Sequence, residues 1–236
     1  MFLLEYYKKL VCNVAYEFFK DVFKEASVIG LGTGSTVRYF IDLLVQNSML
    51  KEKIVFSSST STHNYLASMG IESRLAPEAS SQIDVYIDGF DEASIRMDLV
   101  KGRGGAFNWE KILASRSKLR IYVGDYSKFN GKDYLYLKPI PIEVKPNKLM
   151  SVYNYFKDRG FNPVIRMDSK SSYVVTDSGN NIIDIKPGVI LDPEAFDKEL
   201  RIDGVVETGI FINKLVDYIL ISGPEKGLVR VMCRRM

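Results

Sequence analysis

An α/β fold, a mostly parallel sheet interrupted by a smaller α+β domain, is predicted by three observations. Short apolar segments alternate with helical patterns from Ser27 to Val123, as parallel sheets with helix-covered faces require. From about Pro139 to Ile212 the order becomes β-α-β-β-α-β, a ferredoxin-like unit. Beyond it, Val216 to Ile221 is again strongly apolar and is predicted to rejoin the first sheet as its last strand. The expected boundaries are 1–138 plus 213–236 for the sheet domain and 139–212 for the inserted domain.

The elements follow in chain order. Leu3/Leu4, Tyr7, Leu10/Val11, Val14/Ala15, Phe18/Phe19 and Val22 recur at helical spacing and predict an amphipathic first helix. Lys8 borders that stripe, where it could reach inward. Ser27 to Leu31 reads as a strand, Gly32-Thr33-Gly34-Ser35-Thr36 as a turn, and Phe40, Ile41 and Leu44 mark the helix after it. Ile54 to Phe56, Ile83 to Ile87 and Leu119 to Val123 are the next strands, with helices ending near Met69 and beginning after Trp109. In the inserted domain the strands are Ile140 to Val144, Pro163 to Met167, Tyr173 to Ile185 with a turn at Asp177 to Asn180, and Val205 to Ile212. Its helices are Leu149 to Phe156 and Pro193 to Leu200.

Composition narrows the class. With 236 residues, 46% hydrophobic and 26% charged, the chain has the balance of a globular protein with a full core rather than a disordered one. Its apolar runs are too short to span a bilayer. Met1-Phe2-Leu3-Leu4 meets Glu5 at once, which predicts no secretory signal. Cys12 and Cys233 make no disulfide framework, and a reducing cytoplasm suits them. Net charge is only +3. The one basic concentration, Arg230, Arg234 and Arg235, is read as a solvated tail rather than a nucleic-acid surface.

Chemistry concentrates where strands end, since open α/β sheets bind ligands at the carboxyl ends of their strands. In the Gly32 to Thr36 loop, glycines let backbone approach an anion and the following helix start attracts phosphate. The alternative is a tight connection capped by Ser35 or Thr36. A dinucleotide fingerprint is missing, because Ser35 stands where its third glycine belongs. The hydroxyl run Ser57-Ser58-Ser59-Thr60-Ser61-Thr62 exceeds what one helix cap needs, so a polyhydroxylated or phosphorylated ligand competes with capping as its explanation. Asp88, Asp91 and Glu92 could hold a divalent cation or move protons.

Glu110 lies beside Phe107 and Trp109, surroundings that can desolvate a carboxylate and suit it as a base. A solvated acid in a first helical turn is the competing reading. Lys101 with the N–H groups of Gly102 to Gly105 could hold an oxyanion, or Lys101 could be a surface lysine ending a strand. His63 is the only histidine and is expected to face solvent or cap a helix. Its isolation argues against a serine triad or a zinc site.

In this order, several motifs resemble ribose-5-phosphate isomerase of the A type. They are Gly30 to Thr36, the hydroxyls ahead of His63, Asp88-Gly89-Phe90-Asp91-Glu92, Lys101 to Ala106 with Glu110-Lys111, Asp125 to Lys128, Val174 to Asn180 and Leu191-Asp192-Pro193. The resemblance implies a Rossmann-like domain with a small α+β domain, and interconversion of ribose 5-phosphate and ribulose 5-phosphate through a cis-enediolate. It also implies no cofactor, no metal and assembly as a homodimer or homotetramer. It casts Glu110 as the base, Asp88 and Asp91 as the groups that open the sugar ring and relay hydroxyl protons, and Lys101 as oxyanion support.

Substrate contacts implied with them are Lys8, Thr33, Gly34, Ser35 and Thr36 at the phosphate, and Gly89, Phe90, Gly102, Arg103, Gly104 and Lys128 elsewhere. The chain departs from the family pattern at Phe90 (usually alanine), Arg103 (usually glycine) and Trp109. Arg103 is expected to restrict its loop to the φ values a side chain accepts. Competing functions are a non-catalytic sugar-phosphate-binding module, a CoA transferase or sugar-phosphate deaminase of related fold, and an NAD-dependent reductase. The last is disfavoured by Ser35.

Overall fold

The structure, a computed structural model, describes residues 2–223 and 227–234. In chain order the elements are α1 (Phe2–Glu25), β1 (Val28–Leu31), α2 (Ser35–Gln46), β2 (Ile54–Ser57), α3 (Thr60–Ser68), β3 (Arg74–Leu75), β4 (Ile83–Gly89), β5 (Glu92–Ala93), β6 (Leu99–Val100), α4 (Phe107–Arg116) and β7 (Ser117–Asp125). Then come β8 (Ile140–Val144), α5 (Leu149–Asp158), β9 (Val164–Ile165), β10 (Asn181–Ile185), α6 (Pro193–Glu199), β11 (Val205–Thr208), β12 (Ile210–Phe211), β13 (Tyr218–Ser222) and β14 (Val229–Cys233). They form two compact units. The first takes 1–90, 109–129 and 213–236, and the second 91–108 and 130–212. The second therefore contains the expected 139–212 together with 91–108 and 130–138, two stretches assigned above to the sheet domain.

The first unit is a seven-stranded sheet in the order β14-β13-β7-β4-β1-β2-β3. All pairings are parallel except β13 with β14. One face carries Ile29, Leu31, Val85, Ile87, Ile121 and Val123, packed under Val11, Ala15, Phe19 and Phe23 of α1 and Phe40, Ile41 and Leu44 of α2. The α1 stripe is shifted from the one the sequence spacing predicts, because Cys12 and Tyr16 are buried beside Val11, Ala15 and Phe19 whereas Leu3, Leu4 and Phe18 are exposed. Side chains alternate along a strand, so the other face of β4 bears Tyr86 and Asp88, opposite Gly30 of β1 and Tyr122 of β7.

In the second unit β11-β8-β10-β9 form one sheet, antiparallel throughout, with the strand order of a ferredoxin-like unit. Ile140, Ile142, Val144, Leu149, Val152, Phe156, Ile183 and Ile185 make its core. A short sheet, β12-β6-β5, belongs to the same unit. Strands β5 and β6 went unpredicted because two residues carry no readable period. The segment 173–185 is strand only from Asn181, with isolated bridges at Tyr173 and Val175.

The basic segment is solvated as expected, with Arg230 and Arg234 exposed, but it is the last strand and its end rather than a tail. Two strands, β13 and β14, follow the inserted domain rather than one, and β14 closes the sheet as an antiparallel edge. Arg230 lies over the Phe129 ring at 5.1 Å, and Arg234 donates to Asp217 Oδ1 at 2.8 Å. Arg235 lies outside the described residues. No helix among those residues is long and apolar enough to cross a membrane.

Asp217 also accepts from Arg120 through Nε at 2.7 Å and through its backbone N–H at 2.9 Å. Burial raises its pKa, but the hydrogen bonds from Arg120 and Arg234 outweigh burial and leave it below the ordinary aspartate value. A depressed carboxylate stabilises the fold above its unfolded pKa and loses that contribution as pH falls through the folded one. Asp217→Asn is therefore expected to destabilise the protein by about 1–3 kcal/mol near neutral pH. The gap between variant and wild type should shrink on acidification, as read by urea unfolding. An equal gap at acid and neutral pH would contradict this.

Candidate active site

In the first unit, the chain leaving β1 enters the Gly32 to Thr36 turn. A Cβ on Gly32 would lie 2.0 Å from the Asp88 carboxyl carbon, so only glycine lets the turn pass the end of β4. Asp88 is wholly buried. Its Oδ1 accepts the N–H of Thr33 at 3.1 Å and of Gly89 at 2.7 Å, and Oδ2 accepts the Tyr86 hydroxyl.

Helix α2 then starts without a side-chain cap. Its N-cap is Gly34 at φ 118°, not Ser35 or Thr36 as the capping alternative held. Lys8 Nζ donates to Ser35 Oγ at 3.0 Å and to Glu5 Oε1 at 2.6 Å. The pair sets an ammonium and a hydroxyl side by side at a helix N-terminus, donor chemistry suited to a phosphate. Thr36 is buried, and its carbonyl accepts the Cys12 thiol. Burial pushes that thiol up to about 12, which makes it inert.

The hydroxyl run is explained by internal bonds to a greater extent than the sequence suggests. Ser59 caps α3 by accepting the Thr62 N–H at 3.0 Å, and Ser57 Oγ donates to the Arg74 carbonyl. Thr33 Oγ1 lies 2.9 Å from Ser58 Oγ and 2.8 Å from Ser59 Oγ, while Thr62 Oγ1 donates to the Gly32 carbonyl. The run therefore ties the Gly32 turn to the start of α3. His63, expected at the solvent or at a cap, instead pairs Nδ1 with Ser73 Oγ at 2.9 Å.

Glu110 stands in the first turn of α4 and is 4% exposed, so the solvated-acid alternative does not describe it. Tyr86 and Tyr122, both wholly buried, have phenol pKa values raised well above normal, first by burial and then by the charges of Asp88 and Glu110. The two carboxylates therefore act on the same pair of phenols, whose rings meet edge to face at 6.2 Å. Sequence reading missed both tyrosines. The available signal for Tyr86 was its place two residues before Asp88, on the same strand face. Phe90 is buried with its ring against Gly124, where a Cβ would come within 2.6 Å, and Lys128 Nζ sits 5.9 Å from that ring.

The second unit holds the other predicted residues. Asp91 Oδ2 accepts the Arg103 N–H at 2.9 Å. Lys101 is buried, with Nζ 5.5 Å from the Phe211 ring centre. The loop after it turns through positive φ at Gly102 (106°) and Gly105 (79°). Arg103 is not among the positive-φ residues, so its backbone keeps to the φ values a side chain accepts, as expected. Of the loop N–H groups expected to serve together as oxyanion donors, Arg103 gives its hydrogen bond to Asp91 and Gly105 gives its own to the Gly102 carbonyl.

Glu92 does not share the chemistry proposed for its neighbours. It is fully buried and accepts the N–H groups of Tyr136, Leu137 and Lys138 and the Asn130 amide, all within 2.9 Å. That makes it an anchor for the 130–138 segment. Among the described residues no group of three or more His, Cys, Asp or Glu side chains is placed to hold a metal ion.

Comparison with known proteins agrees with the resemblance. Residues 54–226 match the family described as ribose 5-phosphate isomerase A (phosphoriboisomerase A). The ribose-5-phosphate isomerase A of Limosilactobacillus reuteri (strain DSM 20016) is 38% identical over 206 residues, 86% of this chain and 88% of that protein. A D-ribose-5-phosphate isomerase solved in complex with phospho-erythronic acid superposes with a TM-score of 0.87 at 33% identity, covering 98% of this chain and 99% of that one. The Methanocaldococcus jannaschii ribose 5-phosphate isomerase A gives 0.85 at 31% identity, covering 98% and 99%. With the family pattern covering most of its length and a relative 38% identical over 86% of it, the chain belongs to the ribose 5-phosphate isomerase A family.

Proposed function

We propose that Glu110 is the base with which this family member interconverts ribose 5-phosphate and ribulose 5-phosphate. Family membership makes the chain an aldose–ketose isomerase of the pentose phosphate pathway. The observation that carries the assignment of the base is the placement of two buried carboxylates, Asp88 and Glu110, around Tyr86 and Tyr122 at the carboxyl end of the sheet.

In the forward direction Glu110 takes the C2 proton of the open-chain aldose. The C1–C2 double bond forms and the carbonyl electrons move to O1, giving a cis-enediolate. Lys101, with the N–H groups of Gly102 and Gly104, is assigned to the negative oxygen. Glu110 returns its proton to C1 while the C2 hydroxyl proton leaves and the C2 carbonyl forms. Asp88 and Asp91 are assigned to opening the ring and carrying hydroxyl protons between oxygens. Lys8, Thr33, Gly34, Ser35 and Thr36 are assigned to the phosphate, a reading supported by the uncapped α2 start and the Lys8–Ser35 contact. Gly89, Phe90, Arg103 and Lys128 complete the proposed substrate contacts. The same reading includes action without cofactor or metal, a cytoplasmic setting and assembly as a homodimer or homotetramer.

Incubation of the pure protein with ribose 5-phosphate should yield ketose. Glu110→Gln keeps size while removing basicity, so kcat should fall by about 10²- to 10⁴-fold with the fold intact by circular dichroism. Wild-type turnover in deuterated water should place deuterium on the substrate carbon, since a proton held on a carboxylate exchanges. Near-native kcat in the variant would remove Glu110 from this role.

Lys8→Ala and Ser35→Ala should chiefly raise KM for ribose 5-phosphate, with a smaller effect on kcat. Equal turnover of unphosphorylated ribose by the wild type would assign the Gly32 to Thr36 turn another purpose. Activity should survive exhaustive EDTA treatment, because a lysine and amides serve the enediolate. Loss with EDTA and rescue by magnesium would instead make Asp88 and Asp91 metal ligands.

A further inference from the structure

We propose that Arg166 is a positioning residue for the Gly102 to Gly105 loop, holding the loop's peptide groups in the orientation that receives the oxyanion. The inference rests on the assignment of Lys101 and this loop to enediolate stabilisation.

All the contacts lie within the second unit. Arg166 follows directly on β9, and its backbone is held on both sides, its N–H donating to the Ile182 carbonyl at 2.9 Å and its carbonyl accepting the Val174 N–H at 3.0 Å. The guanidinium is held in turn by Asp184 of β10. Nε donates to Asp184 Oδ2 at 2.8 Å and Nη2 donates to Oδ1. This fork-on-fork pairing fixes the plane as well as the position of the guanidinium. The remaining nitrogen, Nη1, donates to two consecutive loop carbonyls, Gly102 O at 2.8 Å and Arg103 O at 3.1 Å.

The consequence follows from peptide planarity. In a trans peptide the C=O and the next N–H share a plane and point in opposite directions. Holding the Gly102 carbonyl therefore aims the Arg103 N–H, which is donated to Asp91 Oδ2 at 2.9 Å. Holding the Arg103 carbonyl aims the Gly104 N–H away from Arg166 in the same manner. One guanidinium thus sets two peptide planes, one serving a proposed relay carboxylate and one a proposed oxyanion donor.

Without that grip a glycine-rich loop would sample many orientations. Electrostatic stabilisation depends on donors that need no reorganisation during reaction. Lysine cannot replace the fork, since one ammonium cannot span both Asp184 oxygens and two carbonyls.

The test compares Arg166→Ala, Arg166→Lys and Lys101→Ala by steady-state kinetics on ribose 5-phosphate, with thermal unfolding alongside. Arg166→Ala is expected to lower kcat by about 10- to 100-fold, the scale of a small misplacement of catalytic groups. KM should stay within about threefold, and added guanidinium ion should restore part of kcat. Guanidinium should not rescue Lys101→Ala. Arg166→Lys should show the same defect in kcat, and it decides the matter if the alanine variant fails to fold. A wild-type kcat in the Arg166 variants beside an impaired Lys101→Ala overturns this inference and leaves the loop assignment standing. Unimpaired kcat in Lys101→Ala overturns the loop assignment itself. An Arg166→Ala defect that guanidinium does not relieve, with a lowered unfolding temperature, marks a purely structural arginine and also overturns the proposal.

Discussion

The buried carboxylate of Asp88 is the constraint on which the first unit's chemistry depends. A charged group removed from water must be hydrogen-bonded, and here the Thr33 and Gly89 N–H groups and the Tyr86 hydroxyl meet that need. Thr33 belongs to the turn before α2, so the demand of one carboxylate draws the anion-binding turn against the end of β4. The turn can come that close only because Gly32 has no side chain. The hydroxyls of Ser58, Ser59 and Thr62 then tie the same turn to α3. A lysine from α1 and the start of α2 follow into place, bringing Lys8 and Ser35 together.

The second unit solves a different problem, which is to give a glycine loop a single shape. Positive φ at Gly102 and Gly105 makes the bend possible, and side chains with rigid forks and short reaches then hold it. Asp91 takes one N–H, and Arg166 takes two carbonyls. The far end is held as well, since Asn108 donates to Ser178 Oγ in the turn of the Val174 to Asn180 motif. From that turn Thr176 and Asn180 donate to Oε1 of the buried Glu143, whose pKa is raised by burial. Arg103 fits in the loop because the positive φ torsions fall at Gly102 and Gly105 instead.

Where residue type misled, the cause was competition between equivalent uses of the same group. Glu92 looks like a third member of an acidic site, yet its four donors are backbone and amide groups of the 130–138 segment. The hydroxyl run looks like a sugar-binding surface, yet most of it bonds inward. Arg230 and Arg234 are solvated as they look, yet they lie along the edge of the sheet rather than in a tail, with Asp217 receiving Arg234 and Arg120 together. Hydrogen-bond partners come from distant parts of the chain, and local sequence does not name them.

The sequence by itself determined the alternation of strands and helices, the change of order near Pro139, the glycine positions and the carboxylates at strand ends. Those properties are periodic or local, and apolar spacing and backbone freedom express them directly. Asp88, Lys101 and Glu110 were legible because strand ends, glycine runs and helix starts bracket them within a short stretch. Only the tertiary structure decided that Glu110 is buried, that Tyr86 and Tyr122 lie in the field of both carboxylates, and that Arg166, next to β9 of the four-stranded sheet, reaches the glycine loop. It also moved 91–108 and 130–138 into the second unit. These outcomes depend on cross-strand register and on contacts between residues far apart in the chain. A carboxylate's role is set by which donors and charges surround it after folding, and its neighbours in sequence do not specify them.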